Sequence, residues 1–214
     1  MPLELHPCVE SDFPDMTRIQ TLAFNSGIAS FLFPQRITPE WTSKNVAKNL
    51  KCFRTEPDVH FLKVIDTEQN GKVIAWSKWR INEKQRSDEE IQTMLPVPGK
   101  EEEERPAAQE FMRYLHRVRK QYMGTRPYSF LQVLVVDPEE QRRGAGAMLI
   151  QWGLERADKA QLPCFLEASE AGRPLYARWG FEAVAEEVFD LAKYGGEGRD
   201  VNTVMIRPPK QSEI

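Results

Sequence analysis

The chain of 214 residues predicts an α/β domain: one mixed, mostly antiparallel sheet carrying helices on both faces. Three observations predict it. Short apolar, β-branched runs recur along the chain, as at Leu131–Val136 and Cys164–Ala168. Other segments repeat apolar residues at helical spacing, most clearly Phe111, Tyr114, Leu115, Val118 and Tyr122. The two kinds of segment alternate, as in a layered domain of sheet and helix.

The elements follow in order. Leu3–Val9 reads as a first strand. Asp12 is a cap for a helix with Met16, Ile19 and Ala23 on one face. Thr38-Pro39-Glu40 starts a second helix, with proline at its first position, where a missing N–H costs nothing. Val46, Leu50 and Phe53 continue it, and the loop Phe31-Leu32-Phe33-Pro34 precedes it. His60–Asp66 and Val73–Ile81 are paired strands around Asn70-Gly71, a dipeptide suited to the positive φ angles of a tight hairpin. Residues 82–127 then form a helical insertion, with a proline-bearing linker at Leu95–Gly99 that reads as mobile. The run Glu101–Glu104 is a solvated face or helix start. Leu131–Val136 is continuous enough to be buried on both faces. The helix after it has small residues, Gly146, Gly153, Ala157 and Ala160, on a stripe with Leu149. Pro174 and Gly180 frame a short helix, and Val184–Leu191 and Thr203–Arg207 complete the sheet. One domain covers the whole chain.

Composition excludes several classes. Hydrophobic residues make up 41% and charged residues 29%, which suits a globular protein with a real core. A net charge of −3 argues against a strongly nucleic-acid-binding surface. No apolar stretch is long enough to span a membrane. The start, MPLELHPCVESDF, has neither a basic region nor a signal core. Cys8, Cys52 and Cys164 are scattered and odd in number, so neither a disulfide framework nor a metal site is expected. The expected compartment is reducing and cytoplasmic. His6 with Cys8, and Asp58 with His60, lack metal-ligand spacing. Ser212-Glu213-Ile214 is no organelle address.

The most informative stretch is Gln141-Arg142-Arg143-Gly144-Ala145-Gly146, between the turn Asp137-Pro138-Glu139-Glu140 and a helix. Glycines at a helix mouth let a bulky anion approach the backbone. The helix start adds unpaired N–H groups and the positive end of the macrodipole, so a ligand phosphate fits there. Two arginines add charge and forked donors. A dinucleotide fingerprint would need a third glycine, but Ala147-Met148-Leu149 follows, and there is no Walker-type run.

This hexapeptide resembles the Gln/Arg-x-x-Gly-x-Gly/Ala signature of the GCN5-related N-acetyltransferases, the GNAT superfamily. The wider run VLVVDPEEQRRGAGAML is similar to that family's central strand, turn and helix, and LEASEAGRPLYARWGF to its next strand and short helix. The order of elements agrees over about residues 3–207, and the two blocks resemble fungal-type members whose substrate is often unassigned. The resemblance implies the GNAT fold and an acetyl-CoA cofactor. It implies that Gln141, Arg142, Arg143, Gly144, Ala145, Gly146 and Ala147 hold the pyrophosphate. It also implies that the strand before the turn splays from its neighbour, where backbone groups of Leu134 and Val136 bind the pantetheine arm and thioester carbonyl.

Acetyl transfer to an amine needs a base, because an alkyl amine near pKa 10.4 is protonated at neutral pH. The departing thiolate needs a donor. Tyr176 lies in a run similar to the family's Tyr-x-x-x-Gly-Phe pattern and is expected to serve the sulfur; the alternative is packing of a short helix. Glu167, inside an apolar strand, is either a base whose pKa burial raises or a carboxylate paired with an arginine. His60 and His116 are alternative bases, His116 more naturally on a solvated face beside Arg113, Arg117 and Arg119. Ser169 either contacts the pantetheine arm or caps a helix.

The reading that follows is an acetyl-CoA-dependent N-acetyltransferase acting on a small-molecule primary amine, without metal, nucleic acid or membrane, as a monomer or homodimer. Phe31, Leu32, Phe33, Pro34 and Trp41 lie where the family lines its acceptor site, and Trp76 and Trp79 face the same general direction. Acetylation of a protein N-terminus or lysine, and a non-catalytic CoA-binding regulatory module, are the alternatives.

Overall fold

In a computed structural model, described over residues 2–34 and 36–210, the strands and helices alternate. In chain order they are β1 (Leu3–Pro7), α1 (Phe13–Ala23), α2 (Pro39–Thr55), β2 (Val59–Asp66) and β3 (Lys72–Asn82). Then come α3 (Asp88–Met94), α4 (Pro106–Tyr122), β4 (Tyr128–Val136) and α5 (Ala145–Lys159). They are followed by β5 (Cys164–Ser169), α6 (Arg173–Arg178), β6 (Glu182–Asp190) and β7 (Arg199–Arg207). One sheet of seven strands has the order β1-β2-β3-β4-β5-β7-β6. Every neighbouring pair is antiparallel except β4 with β5.

Helices cover both faces. On one, α5 and α6 enclose a core containing Trp79, Leu149, Ile150, Leu166 and Tyr176. On the other, α1 and α2 pack on Phe61 and Trp76, and α4 packs Tyr114 and Val118 against Phe130, Phe165 and Phe189. Residues 83–127 therefore hold two helices, and α4 is part of the core.

Several local expectations change. β1 ends at Pro7, two residues early. Asp12 does not cap α1 with its side chain; its carboxylate accepts from the Val9 N–H at 2.7 Å and pairs with Lys63, also at 2.7 Å. Thr38 does cap α2, accepting from the Trp41 N–H at 3.2 Å. The hairpin turn places Asn70 at φ 55°, as its sequence requires. Trp76 and Trp79 do not face the same way. They are buried on opposite faces, Trp76 donating to the Met16 carbonyl at 2.8 Å and Trp79 to the Leu149 carbonyl at 3.2 Å. Standing three residues apart on β3, they point to opposite faces as strand alternation requires.

β4 is buried on both faces only in its first half. Tyr128 to Leu131 are buried, while Gln132, Val133, Leu134 and Val136 are half-exposed. The cause lies in the parallel pairing, which joins only Ser129 to Cys164 and Phe130 to Phe165. Beyond Phe130, β4 and β5 diverge and leave a wedge. The bulge against β3 falls there too, since Leu131 faces Trp79 and Val133 faces Lys78, leaving Gln132 as the extra residue.

Candidate active site

At the wide end of the wedge, β4 runs into the glycine-bearing turn. Asp137 closes a short turn over Pro138–Glu140, its carboxylate accepting from the Glu139 N–H at 3.2 Å. Arg142 at φ 63° and Gly144 at φ 94° then take left-handed conformations and reverse the chain into α5. For Gly144 that conformation suits only a residue without Cβ. Among the described residues, no hydrogen bond is made by the backbone N–H groups from Arg142 to Ala147. A Cβ placed on Gly144 meets nothing within 4 Å, so open space lies above the row. Gly146 sits lower, where a Cβ comes within 3.4 to 3.8 Å of Leu175, Leu134 and Val136. The side chains of Leu134 and Val136 thus support α5.

The two arginines divide. Arg143 was expected at the anion, but it turns inward. It pairs with Glu140 and, at 2.6 Å, with Asp66 on β2. Lys72 also binds Glu140 at 2.8 Å, and Gln69 bridges Asp66 and Glu140 at 2.9 and 3.1 Å. These contacts, Lys72 first, hold the Glu140 carboxyl down to about 2, and Arg143 lowers that of Asp66. The turn is thereby braced against the β2–β3 hairpin. Arg142 is exposed and has no side-chain partner among the described residues. Gln141 is exposed as well.

Tyr176, on α6, is 8% exposed and packs edge-on to Phe181. Its hydroxyl makes no hydrogen bond among the described residues, and burial pushes its pKa up to about 12. It keeps its proton at any physiological pH. Leu175 beside it touches the turn at Gly146.

Glu167 is not an isolated carboxylate. Arg119 of α4 grips it with two hydrogen bonds, 2.7 and 3.1 Å, and the glutamate side chain is only 5% exposed. The Arg119 guanidinium also lies over the Phe130 ring, 4.8 Å away. Sequence spacing left this pairing open, because the partners stand 48 residues apart. Ser169 caps the next turn, accepting from the Gly172 N–H at 3.2 Å.

The other candidates lie elsewhere. His60 faces α5, 5.4 Å from Trp152, and burial first, then Arg156, lowers its pKa. His116 donates to the Pro96 carbonyl at 3.2 Å and anchors the linker before α4. Phe33 packs with Phe24 and Trp41, while Phe31 packs with Tyr194. Asp200 ties this loop to β7 by accepting the Ile28 N–H at 2.7 Å. Among the described residues, no cluster of His, Cys, Asp and Glu is arranged to hold a metal, the three cysteines are free and buried, and no helix is long and apolar enough to cross a membrane.

Unbonded amides at a helix mouth lie beside a parallel strand pair that parts early, with a buried tyrosine on the short helix that follows. The family model described as "Acetyltransferase (GNAT) domain" matches residues 83–191, just over half of the chain. The chain belongs to the GNAT acetyltransferases. It is 42% identical over 45 residues to the "Probable acyltransferase SID5" of Ajellomyces capsulatus, a stretch covering 21% of this chain and 33% of that protein. It is 34% identical over 88 residues to an uncharacterised N-acetyltransferase of Schizosaccharomyces pombe, covering 40% and 37% respectively. The matched stretches span about a third of the length of these relatives. The fold also matches YncA of Salmonella typhimurium, solved with acetyl-CoA, with a TM-score of 0.59, 13% identity, and coverage of 100% of this chain and 98% of that one.

Proposed function

We propose that the protein is an acetyl-CoA-dependent N-acetyltransferase whose acceptor is a small-molecule primary amine. The observation that carries this reading is the row of unbonded N–H groups from Arg142 to Ala147, set beside the wedge between β4 and β5. Such a row at a helix N-terminus suits a pyrophosphate, and Arg142 supplies a mobile charge there. Acetyl-CoA, when bound, supplies an acetyl group activated as a thioester. Gln141, Arg142 and the amides of Gly144, Ala145, Gly146 and Ala147 would hold its phosphates. The backbone of β4 from Gln132 to Val136, released from β5, would receive its arm, Leu134 and Val136 contributing main-chain groups.

Tyr176 would donate to the leaving sulfur, and its raised pKa keeps the hydroxyl protonated at neutral pH. Glu167 would take up the amine proton, with Arg119 as a positioning residue that fixes its orientation. Ser169 contributes by shaping the turn before α6. The helices α3 and α4 roof the opposite side of the wedge, which favours a small acceptor over an extended peptide.

The test is thiol release from acetyl-CoA with a panel of primary amines, protein N-terminal peptides and lysine peptides. Turnover with small amines and none with peptides is expected. CoA binding without turnover of any acceptor would instead support the non-catalytic module.

A further inference from the structure

The helical segment between β3 and β4 builds a pocket that no resemblance assigns. Its floor is Tyr128, Phe130 and Gln132 of β4; its roof is Ile91 and Met94 of α3 and Met123 after α4. Gln132 is the bulge residue and Phe130 the last residue paired to β5, so the pocket opens where the wedge begins. Glu167 and Arg119 stand at the same point, because Arg119 lines the pocket while gripping Glu167.

The charges around it are unequal. Arg80, Arg119 and Lys120 line it, and no acidic residue does. Arg80 is occupied by Glu56 and Asp58, and Asp58 also by Arg86. Arg119 is occupied by Glu167. On α3, Glu90 is turned to its own cap, bonding the Ser87 N–H at 2.7 Å, and Asp88 and Glu89 are exposed. Lys120 has no hydrogen-bond or ion-pair partner among the described residues. Four cations thus face three carboxylates, and the surplus ammonium stands at the exposed rim.

We propose that this pocket is the acceptor site, and that it selects an amine whose apolar body ends in an anionic group such as a carboxylate. The inference rests on the acetyltransferase reading above. The amine points to Glu167, the methylene body lies between Met94, Met123 and Phe130, and the anionic end meets Lys120. A second ammonium at that end is repelled by Lys120. Diamines are therefore poor acceptors.

The experiment compares aminohexanoate, hexylamine and diaminohexane by calorimetry in the presence of CoA, and by thiol release from acetyl-CoA. Aminohexanoate should bind several-fold more tightly than hexylamine, a size suited to an ion pair at a half-open rim, and diaminohexane least. Lys120→Glu should reverse the order of aminohexanoate and diaminohexane, and Met123→Trp should abolish binding of all three with CoA binding retained. Equal binding of the three amines, or an unchanged order in Lys120→Glu, overturns the pocket assignment while thiol release with other amines leaves the acetyltransferase reading intact. Selective binding without release of thiol from acetyl-CoA in the presence of any amine rejects that reading, and the acceptor role with it.

Discussion

Tyr176 combines a free hydroxyl with a raised pKa, and the two make separable predictions. Tyr176→Phe keeps the ring that packs on Phe181 and removes only the hydroxyl. The catalytic constant should fall at least tenfold while CoA affinity by calorimetry stays within twofold, the pattern of a contact made in the transition state. Because its pKa lies near 12, the wild-type pH–rate profile should show no descending limb from this group below about pH 11. The adjacent arginines should behave differently. Arg142→Ala should weaken CoA binding about tenfold, as loss of a charge-assisted contact does. Arg143→Ala should lower the thermal midpoint, because it strips a partner from Asp66 and Glu140. Calorimetry and thermal melts on the two variants separate the roles. Sequence alone made the arginines equivalent. The motif pointed to an anion site, but Asp66, the partner that draws Arg143 inward, stands 77 residues earlier on a hairpin strand, which local spacing does not display. Arg119 was invisible as the partner of Glu167 for the same reason.

At the scale of elements, periodicity was a good guide wherever a helix or strand buries one face. The run of Phe111, Tyr114, Val118 and their neighbours became α4, and the stripe of small residues became the inner face of α5. Gly153 shows why that stripe is small. A Cβ there would lie 2.2 Å from the Trp79 ring, and the indole is fully buried and tied to the Leu149 carbonyl. Gly153→Ala should destabilise the fold by about 1–3 kcal/mol, despite the better helix propensity of alanine. Denaturant melts check it; an unchanged midpoint would mean that α5 can lift from β3 without cost. What periodicity missed is equally physical. The bulge at Gln132 and the early parting of β4 from β5 depend on which strands become neighbours, and a run of valines and leucines reads alike whether its far half is covered or open.

Across the whole molecule, carboxylates held below their ordinary range make stability depend on acid. Glu140 has a folded pKa of about 2 against an ordinary value of 4.5. Its contribution is complete above the ordinary value and is lost as pH falls from there toward 2. The wild-type unfolding free energy should therefore decline across that window, and Glu140→Gln should decline less steeply; parallel curves would show that the brace adds nothing. The clamp at the opposite rim gives a second whole-molecule prediction. Asp200→Ala frees the Ile28 N–H, and amide exchange should accelerate over residues 27–33 while β4 and α5 stay protected.

The brace joining Arg143, Glu140, Asp66, Lys72 and Gln69 has a kinetic consequence as well. If the turn holds CoA as proposed, a loop already locked to a hairpin has little motion left to surrender when the ligand arrives. Capture then needs no preceding rearrangement, and rapid-mixing traces should rise in a single phase whose rate grows linearly with CoA concentration. Loosening the hairpin, far from any atom the ligand touches, should add a slow phase that saturates.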